Sequence, residues 1–233
     1  MSAEFDNYAT GYGKLLEDPL RQRFASSRFF FERKLTLLLD LCERYAMPTQ
    51  SASWLDVGCG EGTFLHMGKT NFAEVAGCDI SGGMIQRCDG LNVRRQLSPR
   101  QIPFPDKKFD LVTAVCVYHH VDIADRLLLT ADVSRVLKPN GLFCVIEHNP
   151  VNPITRFIVQ RSPIDAHAQL LTVGNARSLA RAARMDILAT RYFLYFPERL
   201  YSKMAATEEI LASLPFGGQY AVLCRNYSRD DLR

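Results

Sequence analysis

The sequence predicts an α/β fold, a doubly wound and mostly parallel seven-stranded sheet with a terminal antiparallel strand. Three observations carry this reading. Short apolar runs alternate with helix-length segments between residues 53 and 147, the rhythm of strand–helix–strand units. One run, DLVTAVCV, is continuously apolar, as a strand buried on both faces must be. After Glu147 the rhythm breaks, and the chain ends strand, helix, strand, which suits a terminal pair closing the sheet edge.

Each element has a local reason. Residues 20–46 read as one helix, because Phe24, Phe31, Leu35, Leu38, Leu39 and Leu41 form a broad apolar face. Pro48 and the following QSAS end it. SWLDVG is a strand that runs into glycines, and EGTFLHMGK opens a helix. EVAGCDI is a second strand, and Ser81 caps the helix that carries Met84 and Ile85. LNVRR is a third strand, and PFPDKKF turns into DLVTAVCV. The helix 122–137 stops at Pro139–Asn140–Gly141 before GLFCVIE. Pro150, Pro153 and Pro163 make the next stretch a loop with one short helix at 154–160. A helix at 175–184, a strand near 188–196, a helix at 206–213 and the strand QYAVLCR complete the chain.

Composition narrows the function. The 233 residues are 47% hydrophobic and 23% charged, with a formal net charge of +3, an ordinary globular balance. Arg94–Arg95 and Lys107–Lys108 are isolated pairs and form no basic stripe, which disfavours a nucleic-acid substrate. The seven cysteines include no C-x-x-C pair, and several sit in apolar runs (VGCG, LFCVI). That usage suits a reducing compartment. No run reaches the ~18 apolar residues of a membrane span, and the expected location is cytoplasmic.

The chemistry centres on WLDVGCGEGTF. Gly58, Gly60 and Gly62 form G-x-G-x-G at a strand-to-helix turn, where glycine lets a ligand approach the backbone. Asp79 ends the next strand, where this architecture places an acid that accepts hydrogen bonds from a ribose diol. Strand, glycine turn, helix, strand and acid together indicate an adenosine-type cofactor. The dinucleotide fingerprint G-x-G-x-x-G is not met, and Glu61 at the turn would repel a pyrophosphate. A ligand with an ammonium and a sulfonium tolerates that acid, so charge favours S-adenosylmethionine over NAD. Asp56 is either a structural acid of the turn or a ligand contact.

LDVGCGEGTF, GCDIS, IPFPDKKFDLV, VYHHV and VLKPNGLFCVIE, in this order from about residue 52 to 147, resemble the successive motifs of class I methyltransferases, and most closely the type 11 group that includes quinone-biosynthesis enzymes. The resemblance implies a Rossmann-like methyltransferase fold, with residues 1–233 as a single methyltransferase domain. Within it, 1–48 would be an N-terminal helical lid and 148–175 a substrate-side insertion. It further implies that Gly58, Cys59 and Gly60 present backbone to the methionine moiety and ribose. Asp79 would hold the ribose hydroxyls, Ile80 and Met84 would pack on the adenine, and Val115 and Cys116 would line the methionine side. Family members carry an Asp near the position of Ser98, so the adenine contact departs from the pattern there.

The implied reaction is in-line transfer of a methyl group from S-adenosylmethionine to an oxygen, nitrogen or carbon of a small-molecule acceptor, leaving S-adenosylhomocysteine. Alignment and exclusion of water are the protein's main contributions. His119 and His120 follow the fourth strand at the binding edge, each either an acceptor-facing base or a buried structural histidine. Glu147 and His148 end the fifth strand at the same edge and are candidate acceptor contacts, as are Tyr12 and Arg156. Arg161 is a second cation for an acidic acceptor, and Tyr8 joins Tyr12 as a lid or as packing for the first helix. His66 is expected to pack. The carboxylate set of a Mg²⁺-dependent catechol-type enzyme is missing, so no metal is expected. Two other readings compete: a non-catalytic protein that keeps the fold, and an NAD-dependent oxidoreductase.

Overall fold

In the computed structural model, Asp6 and residues 19–227 are described. The most apolar runs make the centre of the sheet. β1 (Ser53–Val57) is buried at every position, and β4 (Phe109–Val115) and β5 (Leu137–His148) flank it on one side. β2 (Glu74–Asp79) and β3 (Asn92–Arg95) extend the sheet on the other, and β3 is the exposed edge. These five strands are parallel. The order is β3-β2-β1-β4-β5-β7-β6, so the connection direction reverses between β1 and β4. Ligands of such sheets bind beyond the strand ends at this point.

Alternate side chains serve the two faces. On β5, Leu142, Cys144 and Ile146 meet α2 (Ser27–Arg44) and α3 (Thr63–Gly68), whose Phe30, Leu38, Leu41 and Phe64 fill one core. Phe143 and Val145 face the other core, with Leu129 and Val133 of α5 (Ile123–Val136) and Ala176 and Ala180 of α7 (Val173–Ala182). Helices thus cover both faces, as double winding requires. The remaining helices are α1 (Pro19–Phe24), α4 (Gly82–Ile85), α6 (Pro153–Arg161) and α8 (Glu198–Leu211).

The expected first helix is two. Ser26 interrupts it, its hydroxyl accepting from the Phe29 N–H (3.1 Å) to cap α2, while its own N–H donates to the Glu198 carboxylate (2.7 Å). The expected terminal pair closes the sheet edge. β6 (Met185–Phe193) is the sheet edge, and β7 (Gln219–Asn226) slots between β5 and β6, antiparallel to both. β6 starts earlier than its apolar run and stops where Leu194 turns left-handed (φ 62°). α8 is longer than expected because most of it is solvated and shows no apolar stripe; Glu208 is its buried residue. Among the described residues no helix is long and apolar enough to cross a membrane, and all seven cysteines are free thiols.

Candidate active site

The glycine turn is built by backbone conformations that side chains resist. Gly58, Gly60 and Gly62 all have positive φ (72°, 55° and 77°). A Cβ on Gly58 would overlap the Val117 side chain as well. The turn is tied to β2, since the Gly58 and Cys59 N–H groups donate to the Cys78 carbonyl (2.7 and 3.0 Å). Asp79 continues this link, accepting from the N–H of Gly60 (2.9 Å) and of Ser81 (2.8 Å). Burial raises the Asp79 pKa, and these bonds work against the rise. On the far side of the turn, Asp6 accepts from the Ser81 hydroxyl (2.6 Å) and from the Gly83 N–H (3.1 Å).

The turn opens onto a cavity of about 210 Å³ at the switch point, between the ends of β1, β2 and β4. Asp56, Gly58, Cys59, Gly60, Asp79, Ile80, Met84, Val115, Cys116, His119, His120 and His148 all line it, so most residues singled out in the sequence converge. Asp56 is 2% exposed and accepts from the Thr113 hydroxyl (2.6 Å), which also accepts from the Trp54 indole (2.8 Å). Burial pushes its pKa up to about 7 against that hydrogen bond. Glu61 adds a third carboxylate, with one oxygen buried and unpartnered among the described residues. Three acids around one cavity would repel a pyrophosphate and suit a cationic ligand.

Sequence reasoning missed Lys34. It is buried on α2, lines the cavity, and its ammonium lies 3.5 Å from Cys116 Sγ. The signal was present: Lys34 falls on the same helix face as Phe30 and Leu38, where a lysine is out of place unless it has a partner. Cys116 itself is left-handed (φ 58°). Burial would raise its thiol, but the charges of Lys34 and then His148 outweigh that and bring it down to about 6.

The histidines form a layered cluster. His119 is 2% exposed, with Nδ1 2.5 Å from Glu147 Oε2 and Nε2 3.3 Å from Asp165 Oδ1. Burial opposes its charged form, but the Glu147 charge and the bonds to both carboxylates hold it protonated well above the usual range. A ring so held is a poor proton acceptor. His120 lies 3.5 Å from the same Asp165 oxygen, and burial together with the His119 charge lowers its pKa to about 3. It is therefore neutral. His148 approaches the Gln219 amide (3.4 Å).

Other expectations move. Glu147 is fully buried behind His119 and also accepts from the Tyr118 N–H (2.7 Å), so it supports the cluster and does not line the cavity. Ser98 is absent from the cavity wall and accepts from the Arg100 N–H in its own loop, while Gln96 and Pro99 take the wall position. Arg156 and Arg161 are exposed on α6, the latter over the Phe157 ring. His66 is exposed rather than packed. Tyr8 and Tyr12 lie outside the described residues. A second, smaller cavity meets the first at His148 and is walled by Phe24, Phe30, Ile158 and Leu194.

Comparison with known proteins agrees with this geometry. Residues 55–145 match the methyltransferase domain family of type 11. A demethylmenaquinone methyltransferase of Tropheryma whipplei is 38% identical over 98 residues, 40% of each chain. A 27-O-demethylrifamycin SV methyltransferase of Amycolatopsis mediterranei is 31% identical over 97 residues, 37% of this chain and 35% of that one. The chain thus matches well under half the length of these curated relatives. A SAM-dependent methyltransferase from Thermotoga maritima superposes with a TM-score of 0.70 at 16% identity, over 97% of this chain and 100% of that one, which shows the shared fold. Residues 55–145 are therefore similar to the type 11 methyltransferase domain family, and the chain shares the fold of solved S-adenosylmethionine-dependent methyltransferases.

Proposed function

We propose that this protein transfers the methyl group of S-adenosylmethionine to a small molecule with an apolar body. The observation that carries the reading is the charge pattern of the cavity, in which Asp56, Glu61 and Asp79 surround a site with one buried ammonium, Lys34. The cofactor is the complement of that pattern. Its ammonium suits Asp56, its ribose diol suits Asp79, and its carboxylate suits Lys34. Cys116 and Val117 then border the methyl donor. The sulfonium is a strong electrophile, so the chain's residues act by aligning the acceptor and excluding water.

The acceptor enters beside His148, where the second cavity supplies Phe24, Phe30, Ile158 and Leu194 for an apolar body. α2 and the 149–172 segment wall that side, and the whole chain acts as one domain. The acceptor meets His120, a neutral ring whose lowered pKa, about 3, suits it to positioning the acceptor by a hydrogen bond rather than to holding its proton. The free cysteines and the lack of a basic stripe support a cytoplasmic protein acting on a small molecule rather than on nucleic acid.

Thermal unfolding with S-adenosylmethionine, S-adenosylhomocysteine and NAD in parallel tests the cofactor. A ligand at 100 times its Kd adds ~2.7 kcal/mol, so both sulfur ligands should raise Tm and NAD should not. Product formation is then followed as S-adenosylhomocysteine release with apolar phenols and quinols. No Tm shift with either sulfur ligand would remove the enzyme reading.

A further inference from the structure

The cavity contains a set of side chains that the methyl-transfer reading leaves partly unused. We propose that His119, His120 and Asp165 bind a divalent transition-metal ion of the zinc class at the acceptor end of the cavity, with one coordination position open to the acceptor. This rests on the methyltransferase reading of the same cavity.

The ligand atoms are already at coordination spacing. His119 Nε2 and His120 Nε2 lie 3.3 and 3.5 Å from Asp165 Oδ1, and the three groups' ligand atoms all fall within 4.8 Å of one another. An ion with bonds of ~2.0–2.1 Å to nitrogen and oxygen in tetrahedral geometry separates its ligands by ~3.3–3.4 Å, which the two histidine–Asp165 distances already match. Two imidazoles and one carboxylate suit zinc and its neighbours in the first transition row, and not magnesium or calcium, which take oxygen.

The support behind the ligands points the same way. His119 gives its other nitrogen, Nδ1, to the buried Glu147 carboxylate at 2.5 Å. Carboxylate behind imidazole is the arrangement that fixes a metal-binding ring and turns its free nitrogen toward the ion. Glu147 is itself held by the Tyr118 N–H (2.7 Å). Three protein ligands with an open fourth position are the pattern of a catalytic rather than a structural ion. Here the opening faces the cavity that Cys116 and His148 also line.

The chemistry follows without a redox change. An acceptor O–H or S–H that coordinates the ion loses its proton to solvent near neutral pH. The resulting lone pair attacks the methyl carbon, a new X–CH₃ bond forms, and the C–S⁺ bond breaks to leave a neutral thioether. The ion keeps its charge throughout. This assigns the two histidines to a cation in place of a proton, and it narrows the acceptor to one that presents an ionisable hydroxyl or thiol.

The test uses untagged, chelator-dialysed full-length protein and Zn²⁺ itself, by calorimetry, with Co²⁺ as a visible-absorption probe. One equivalent should bind, and Co²⁺ should give the intense band of a tetrahedral site. His120→Ala and Asp165→Asn, both at the cavity wall, should each weaken Zn²⁺ binding at least 10-fold and abolish that band. Glu147→Gln should weaken binding about 10–100-fold. Wild type that binds no Zn²⁺, or variants that bind it as wild type does, would overturn the proposal. The same samples are titrated with S-adenosylhomocysteine. Binding of the sulfur ligand without Zn²⁺ removes the metal site alone, and Zn²⁺ binding without the sulfur ligand removes the cofactor reading on which its function rests.

Discussion

Asp56 is a carboxyl kept in the core at the expense of stability, and replacing it with Asn should make that visible. Burial pushes its pKa from an ordinary 3.8 up to about 7. Between those values the folded chain holds a proton that the unfolded chain gives up, so stability falls as pH rises through the window and the full penalty stands above it. Roughly three units at ~1.4 kcal/mol each is about 4 kcal/mol at pH 8, and about 1.5–2 kcal/mol at pH 5. Asp56→Asn cannot ionise and still offers Oδ1 to the Thr113 hydroxyl, which now sits 2.6 Å away. The ligand-free variant should therefore gain stability over wild type in urea unfolding, by about 2–3 kcal/mol more at pH 8 than at pH 5. It should also lose most of the Tm shift with S-adenosylhomocysteine, because the neutral amide no longer attracts the ammonium. A stability difference independent of pH would refute the reasoning, since the carboxyl would then not be an uncompensated buried charge.

Asp79→Ala removes the acceptor expected for the ribose diol and should weaken cofactor binding by about 10–100-fold, as loss of charged hydrogen bonds costs ~1.5–3 kcal/mol; equilibrium dialysis with S-adenosylhomocysteine reads it. Gly58→Ala combines a left-handed φ with a clash on Val117 and should cost about 2–4 kcal/mol in urea unfolding, partly recovered by adding Val117→Ala. Cys116, brought down to about 6, should alkylate with iodoacetamide at pH 7 well before Cys42 and Cys224, both raised to about 12 by burial. Mass spectrometry of the peptides checks this. Lys34→Met should slow Cys116 alkylation and weaken the sulfur ligands together, whereas a purely structural Lys34 would leave the alkylation rate alone.

The sheet was legible because its strands are set by uninterrupted apolar runs and its turns by glycine and proline. The glycine turn of the candidate site was legible for a related reason: Gly58, Gly60 and Gly62 recur at every second residue, and Asp79 closes the next strand. What escaped was whatever folding brings from afar. Lys34 reaches the cavity from a helix whose stripe looked like ordinary core, and Asp165 joins His119 from a proline-rich stretch with no periodic signal. Glu147 was placed at the right edge, but its side chain points behind His119, an orientation that only the packing around Tyr118 determines. Ser98 was located by analogy with relatives, and the loop carries Gln96 and Pro99 to that wall. The break at Ser26 depended on Glu198, 172 residues away.

The position of β7 between β5 and β6 has a consequence for biosynthesis. β5 and β6 do not touch each other as ladders, and each borrows its missing partner from Gln219–Asn226. Until Gln219–Asn226 has been made, β5 and β6 each lack the partner that lies between them in the folded sheet, and each has a row of unpaired peptide groups. Such edges are templates for the wrong neighbour. Nascent chains stalled ahead of residue 219 should therefore be the chaperone-dependent species, and release of β7 should act as the latch that makes the sheet safe to leave the ribosome.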